Sequence, residues 1–307
     1  MKVRIGYLER VEIPTLALII ICYGTWAFLI AFSTAFPTIL WIILQGINLV
    51  LFWSITHEVV HGHPTDNALV NRLLVLLPIG FLFPYERFRD THIQHHETGE
   101  LTDPLDDPES WYLPQSRWQM LGIFGQAILH FNNTLFGRML IGPLITLLRF
   151  YWSESRLILK DSRVRYVWAL HVLLCLVVVA VIYQLSAITW WYHLIAIYLS
   201  LSFLLVRTFL EHQAAEDRSE RTVIIEKSCP IAFLFLFNNL HAVHHARPGI
   251  PWYELPRRYR ENRDQYTQMN GHYFYASYSE IFRRYFFRVK EPVLHPFLRK
   301  YPVHPVK

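Results

Sequence analysis

Two stretches of the sequence, His92-Ile93-Gln94-His95-His96 and His241-Ala242-Val243-His244-His245, repeat one pattern of histidine at i, i+3 and i+4. Those positions share a helix face, so each pentad should aim three imidazoles at one point. His57-Glu58-Val59-Val60-His61 adds two more at i and i+4. Eight of the sixteen histidines therefore sit in three tight clusters. Imidazole is the commonest side-chain metal ligand, and eight exceed what one ion can use, so two ions are implied. A structural zinc site would close with four ligands and draw on cysteine. Here Cys22, Cys175 and Cys229 are scattered and form no Cys-x-x-Cys pair. Imidazole-rich sites suit iron, and a pair of iron ions cycling between Fe2+ and Fe3+ can activate dioxygen as co-substrate. His212, alone after Glu211, stands in line with the clusters and could supply a ninth ligand.

Metal-bound imidazoles need partners that fix their tautomers, and Glu58, Asp90, Glu97 and Glu211 are placed beside ligands to do so. His63 should point off the ligand face, whereas His171 and His193 lie inside apolar blocks and read as packing or tunnel groups.

The elements that must carry these residues belong to a membrane. Of 307 residues, 53% are hydrophobic and only 17% charged, with a mean hydropathy of +0.21, which is the composition of a polytopic membrane protein. Residues 13–57 and 166–206 contain no Asp, Glu, Lys or Arg. A spanning helix needs about 20 residues, so each block accommodates two spans and a turn. Polar interruptions at Phe36-Pro37-Thr38 and Gln184-Leu185-Ser186 give spans near 14–35, 38–57, 166–184 and 188–208. The fold class expected is thus an all-α integral membrane protein, one domain of four transmembrane helices in two hairpins. Residues 58–165 and 209–307 would form a cytosolic helical cap that holds the two-metal site.

Neither turn carries a charge, so every Lys and Arg lies on the face bearing both termini, and positive-inside sorting makes that face cytosolic. All three histidine clusters fall on it. The membrane would be a bacterial inner membrane, or the endoplasmic reticulum in a eukaryote. No cleavable signal peptide is expected, because the first apolar stretch runs into a second span. Unpaired cysteines fit a reducing cytosol without disulfides. The net charge of +5 follows from the same sorting, so a nucleic-acid partner is not needed to explain it.

Between the spans, the apolar run at residues 73–83 is too short to cross and contains Pro78, which predicts an interfacial or re-entrant segment. The acidic, proline-rich residues 102–109 predict an ordered, solvated turn. Residues 118–137 are uncharged but hold several amides, and predict an amphipathic helix in the interface continuing to Phe150. The basic, aromatic tail from Pro251 should fold as part of the cap. Its Arg257-Arg258-Tyr259-Arg260 and Arg283-Arg284 could meet an acidic ferredoxin or anionic lipid headgroups.

Taken as a set, the three boxes in this order, with two spans between the second and third, resemble the membrane-bound fatty acid desaturase superfamily, which includes related hydroxylases and carotenoid ketolases. The likeness extends through Asn238-Asn239-Leu240-His241 and the segment Pro248 to Pro256. It implies a di-iron centre on the cytosolic face, held by His57, His61, His92, His95, His96, His241, His244 and His245, with His212 as the extra ligand. It further implies a substrate tunnel among the spans and oxygen-dependent attack on an unactivated C–H bond of a fatty acyl chain or acyl lipid. Two features depart from relatives. The position four before His212, an asparagine in stearoyl-CoA desaturases, is Thr208, so the resemblance implies that any water-mediated asparagine behind the ligands is Asn238 or Asn239; and no His-Pro-Gly-Gly haem motif is present. Electrons would then come from a separate ferredoxin, rubredoxin or cytochrome b5 type donor with its reductase. Desaturation, hydroxylation and ketolation share the first hydrogen abstraction and part afterwards, on placement too fine for sequence to report. A metal-binding membrane protein without turnover, a sensor or carrier, is the alternative of another class. Transporters, however, place ionisable groups at the bilayer midplane, and these clusters lie at its edge.

Overall fold

The computed structural model describes residues 11–297; the first ten residues of the charged lead-in and the last ten of the basic tail lie outside it. The first charge-free block folds as α1 (Ile13–Ala31), a 3-10 turn at Ser33–Ala35, and α2 (Thr38–Val60). Pro14 sits in the first turn of α1, where no intrahelical N–H is lost, and Pro37 precedes α2. Short helices α3 (Ala68–Val75) and α4 (Tyr85–Glu97) follow, then α5 (Gln115–Met120), α6 (Ile123–Asn132) and α7 (Leu135–Lys160). The second block forms α8 (Ser162–Leu185) and α9 (Trp190–Glu211). Beyond it come β1 (Ile224–Ile225), α10 (Pro230–Leu234), α11 (His241–Ala246), α12 (Leu255–Glu261), α13 (Arg263–Met269), β2 (Phe274–Tyr275) and α14 (Tyr278–Tyr285).

Helices α1, α2, α8 and α9 are long and apolar enough to cross a membrane. At 1.5 Å per residue the 23 residues of α2 reach about 35 Å. Both α2 and α9 run three residues beyond the predicted spans, to Val60 and Glu211, so helical backbone continues into the chemistry-bearing residues. α1 stops at Ala31, four residues short of expectation, because the chain tightens into the 3-10 turn. The amide of Ala187 donates to Ser33 Oγ at 3.0 Å, so the two hairpin tips lie side by side and the opposite ends of α2 and α9 converge.

α2 and α9 form the buried central pair, and α1 and α8 lie outside them with Ile20, Phe28, Leu173, Leu176 and Tyr183 exposed. In lipid such faces gain nothing from further burial, so helices associate through packing and hydrogen bonds. Trp41 Nε1 donates to Leu29 O at 2.7 Å and Asn48 Nδ2 to Cys22 O at 3.1 Å, tying α1 to α2. The two intramembrane histidines have structural partners. His171 Nε2 donates to Phe81 O at 2.8 Å, and His193 meets Ser186 Oγ at 3.2 Å and the edge of Trp41.

The interfacial segment differs from the single helix predicted to Phe150. It breaks at Leu121-Gly122 and again at Asn133-Thr134, where Thr134 Oγ1 accepts from Gly137 N and caps α7. Gly137 is required there, since a Cβ would stand 1.9 Å from Phe131 O. The exposed Met120, Ile123, Phe124, Ile128, Leu140, Leu144 and Leu148 retain the predicted apolar face across all three pieces. Residues 76–84 turn back without spanning, and Gly80 lies so close to Trp53 that a Cβ would be 2.3 Å from its ring.

Candidate metal centre

The last turn of α2 presents His57, and its C-cap residue is His61. α4 begins at Tyr85 after Pro84 and carries His92, His95 and His96. α11 follows a turn in which Leu236 and Phe237, at φ 50° and 55°, occupy the left-handed region that non-glycine residues avoid. That strained turn sets Asn238 and starts α11 at His241. His212 leaves α9 in extended conformation and pairs with Thr222, and the strand segment that follows fixes it to α11: Val223 N donates to Glu211 O and Ala242 N to Val223 O, each at 3.1 Å.

These histidines gather into two groups. His57, His61, His92, His96 and His244 form one and His95, His212, His241 and His245 the other, each with its donor nitrogens within 4.8 Å of one another. Each pentad is therefore split rather than aimed at one point. His92 and His96 join the first group and His95 the second, whereas His241 and His245 join the second and His244 the first. The reason lies in the 100° step between neighbouring helix positions, which turns the middle histidine toward the adjoining site. The groups abut, since the rings of His96 and His245 stack at 4.1 Å between centroids.

The arrangement fits metal ions. His61 and His92 approach Nε2 to Nε2 at 3.0 Å, His95 and His241 each reach His212 at 3.0 Å, and His96 meets His244 at 3.2 Å. Two nitrogens each about 2.1 Å from one ion and at right angles to it lie about 3.0 Å apart. In addition, His57 Nε2 and His245 Nε2, one from each group, are buried without any hydrogen-bond partner, a state that ligation would satisfy.

The Nδ1 atoms face outward onto acceptors. His92 Nδ1 lies 2.8 Å from Glu109 Oε1, His95 Nδ1 2.8 Å from Asp107 Oδ1, His241 Nδ1 3.1 Å from Asn238 Oδ1, and His212 Nδ1 3.3 Å from Arg221 O. Such bonds place the proton on Nδ1 and leave Nε2 free to ligate. Asn238 in turn donates to Glu211 Oε1 at 2.7 Å, and Glu211 is also paired with Arg207. The other expected partners lie elsewhere. Glu58 accepts from Trp252 N at 3.1 Å, Asn239 Nδ2 donates to Ile225 O, Asp90 pairs with Arg87, Arg89 and Arg163, and Glu97 is exposed. His63, off the ligand face as expected, is buried against Glu12 at 2.7 Å.

Asp107 and Glu109 are what sequence reasoning missed. Their loop is not simply solvated: Asp107 is buried and its backbone turn is closed by Thr102 N donating to Oδ2 at 2.8 Å. The available signal was an acidic run only a dozen residues beyond the second pentad. Nine neutral donors would leave the charge of two cations unbalanced, and Asp107, Glu109 and Glu211 stand just behind them to offset it.

Burial, reinforced by His92 and His95, lowers the pKa of His96 to about 3. Burial likewise holds His61, His212, His241, His244 and His245 far below the usual imidazole range, in the neutral form that offers a lone pair. His95 differs. Burial opposes its charge, but Glu109 and Asp107 outweigh it and raise the pKa to about 9.

A cavity of about 870 Å³ opens against both groups through His92 and His212, between α4, the 102–112 loop, α7 and α9. Its walls combine aromatic and leucine side chains with several arginines.

Comparison with known proteins agrees with this architecture. The beta-carotene ketolase of Paracoccus sp. (strain PC1) is 25% identical over 270 residues, which cover 80% of this chain and 91% of that protein. A family profile described as Fatty acid desaturase matches residues 33–277, from the tip of the first hairpin to just past β2, and so takes in every histidine of both groups. With four helices among the described residues long and apolar enough to cross a membrane, and that match over most of its sequence, the chain is an integral membrane oxidoreductase that belongs to the fatty acid desaturase family.

Proposed function

We propose that the protein is an oxygen-dependent di-iron oxidase that desaturates an unactivated C–C bond in a fatty acyl chain or acyl lipid. The observation that carries this reading is the opening of both histidine groups onto one cavity whose α9 wall includes Leu201, Leu204, Leu205 and Phe209 besides the Arg207–Glu211 pair and Thr208, continued by Phe83, Phe88 and Phe150. Its volume lies within the range of ligand sites. The nine histidines would hold two iron ions, His57, His61, His92, His96 and His244 around one and His95, His212, His241 and His245 around the other. Bound there, iron would supply dioxygen activation and an oxidant able to take a hydrogen atom from a methylene.

This chain's own residues do the positioning. Asp107, Glu109 and Asn238 keep Nδ1 of three histidines protonated and Nε2 directed inward. The apolar wall holds a chain at fixed depth beside His92 and His212 and excludes bulk water, so one methylene is presented repeatedly. Positive-inside sorting supports a cytosolic location for the centre, and a separate ferredoxin, rubredoxin or cytochrome b5 type donor would deliver electrons.

The similarity to a beta-carotene ketolase favours a second reading, oxidation of a carotenoid or other lipid to a hydroxyl or ketone at the same centre. Expression in a host lacking these activities, followed by mass spectrometry of total lipids and pigments, separates the readings. A new double bond in acyl chains is expected. A new ketone or hydroxyl would favour the second reading, and no product with iron, oxygen and reductase supplied would sink both.

A further inference from the structure

Of the nine histidines, His212 alone stands outside the three boxes, and its backbone has left α9 for an extended conformation at φ −130°, ψ 148°. Its ring is lightly held as well, because the Nδ1 contact to Arg221 O, at 3.3 Å, is longer than those of His92, His95 and His241. A ligand in irregular backbone is placed less precisely than one on a helix unless other groups pin it. On one side the bridge to Thr222 does so. On the other stands a closed ring of bonds. Lys290 Nζ donates to His212 O at 2.6 Å and pairs with Glu291 at 2.8 Å, Glu291 accepts from the Tyr112 hydroxyl, and the Tyr112 oxygen accepts from Ala214 N at 2.7 Å.

The side chain of Lys290 is only 5% exposed, and its ammonium lies 5.9 and 5.6 Å over the rings of Phe209 and Tyr273. A cation at such depth is costly to desolvate, and for packing alone an apolar residue of similar volume would serve better. What the ammonium adds is a charged donor aimed at the carbonyl of His212. The same terminal segment fastens the loop behind the ligands. Leu113 N donates to Val293 O at 2.8 Å and His295 N to Leu113 O at 3.2 Å, while His295 Nε2 lies 3.1 Å from Thr102 Oγ1, so both ends of the stretch holding Asp107 and Glu109 are tied to it. Lys290, Glu291, Val293 and His295 lie beyond residue 277, where the family profile ends, so the matched region contains the ninth histidine but not the lysine that grips it. We infer that Lys290 is a positioning residue for His212, with Glu291 and Tyr112 fixing its ammonium and the backbone at Ala214, so that the terminal segment completes the four-histidine group. This rests on the reading of the histidines as a two-metal centre.

The full chain in nanodiscs, loaded with Co2+ in place of iron, tests this without oxygen or a reductant, since the visible bands of Co2+ report the donors around each ion. The unaltered chain should take up two ions. K290M, which keeps the bulk of the side chain and removes the donor, should weaken one ion about tenfold in competition with a chelator, the effect of losing an outer partner, and leave the other unchanged. The bands it alters should be those that H212A alters. K290R, which retains a cationic donor, should restore most of the affinity. Y112F should weaken the same ion about threefold, the effect of one neutral hydrogen bond, and it covers the case in which K290M does not fold. A merely structural role would lower the melting temperature or loosen both ions alike without the H212A bands changing, and that result would overturn the inference. So would unchanged affinity in K290M, or a K290R no better than K290M. Each of these leaves the two-metal reading standing, whereas fewer than two Co2+ ions in the unaltered chain would overturn that reading and the inference together.

Discussion

His95 Nδ1 and Asp107 Oδ1 lie 2.8 Å apart with both side chains only 1% exposed, which makes a loop carboxylate the orienting partner of a histidine on α4. Such outer partners contribute about 10–100-fold to metal affinity. Asp107→Asn keeps the shape of the loop but removes the charge. Iron binding measured by competition with a chelator should weaken within that range while the chain stays folded. Unchanged affinity would show that His95 needs no help from Asp107.

Removing a donor should change the metal count in a site-specific way. His212 belongs to the four-membered group, and His212→Ala leaves three imidazoles there. Elemental analysis should fall from about two iron ions per chain toward one. His171→Ala is the matched control, because its ring bonds Phe81 O, contacts Cys175 Sγ and packs against Trp168, away from both histidine groups; iron should stay near two while thermal stability drops. Two ions retained by the His212 variant would contradict the proposed ligand set.

The sequence made the four spans legible because absence of charge over 40 or more residues has few physical explanations, and the histidine boxes legible because helical spacing is periodic. Two kinds of feature escaped it. Partners set by tertiary packing, such as Asp107 with His95 or Arg221 O with His212, join residues 12 and 9 apart through loops that have no period. The placement of Glu58 differs from expectation for a related reason. It follows a ligand in sequence, yet one step around the helix turns it toward the amide of Trp252 and away from the rings. The partition of each pentad between two groups likewise depends on where the neighbouring helix lies, which spacing alone leaves open.

Gly137 tests the break that divides the interfacial segment. With a Cβ only 1.9 Å from a backbone carbonyl oxygen, alanine cannot be accommodated by a rotamer change and α6 must move away from α7. Gly137→Ala should destabilise the protein by about 1–3 kcal/mol. The cavity wall at Arg138 adjoins this turn, through its bonds to Asn132 O and Asn133 Oδ1, so affinity for cavity ligands should fall in parallel. A melting temperature equal to that of the unaltered chain would mean that the turn relaxes freely.

Thr208 offers the sharpest separation of structural and chemical roles. It lies one turn before His212 on α9 and lines the cavity, and its hydroxyl is buried with no hydrogen-bond partner. A threonine in a helix ordinarily bonds the carbonyl one turn back, so this hydroxyl gives nothing to the fold. Replacing an unpartnered hydroxyl by a methyl of similar shape is neutral or stabilising. Thr208→Val should therefore keep or raise the melting temperature and keep both iron ions. If the hydroxyl meets the substrate beside the histidines, turnover should nevertheless fall about tenfold, the effect of one hydrogen bond. A variant with unchanged stability, unchanged iron and unchanged turnover would show that the hydroxyl is idle, whereas lost stability would show that it has a partner in the fold after all.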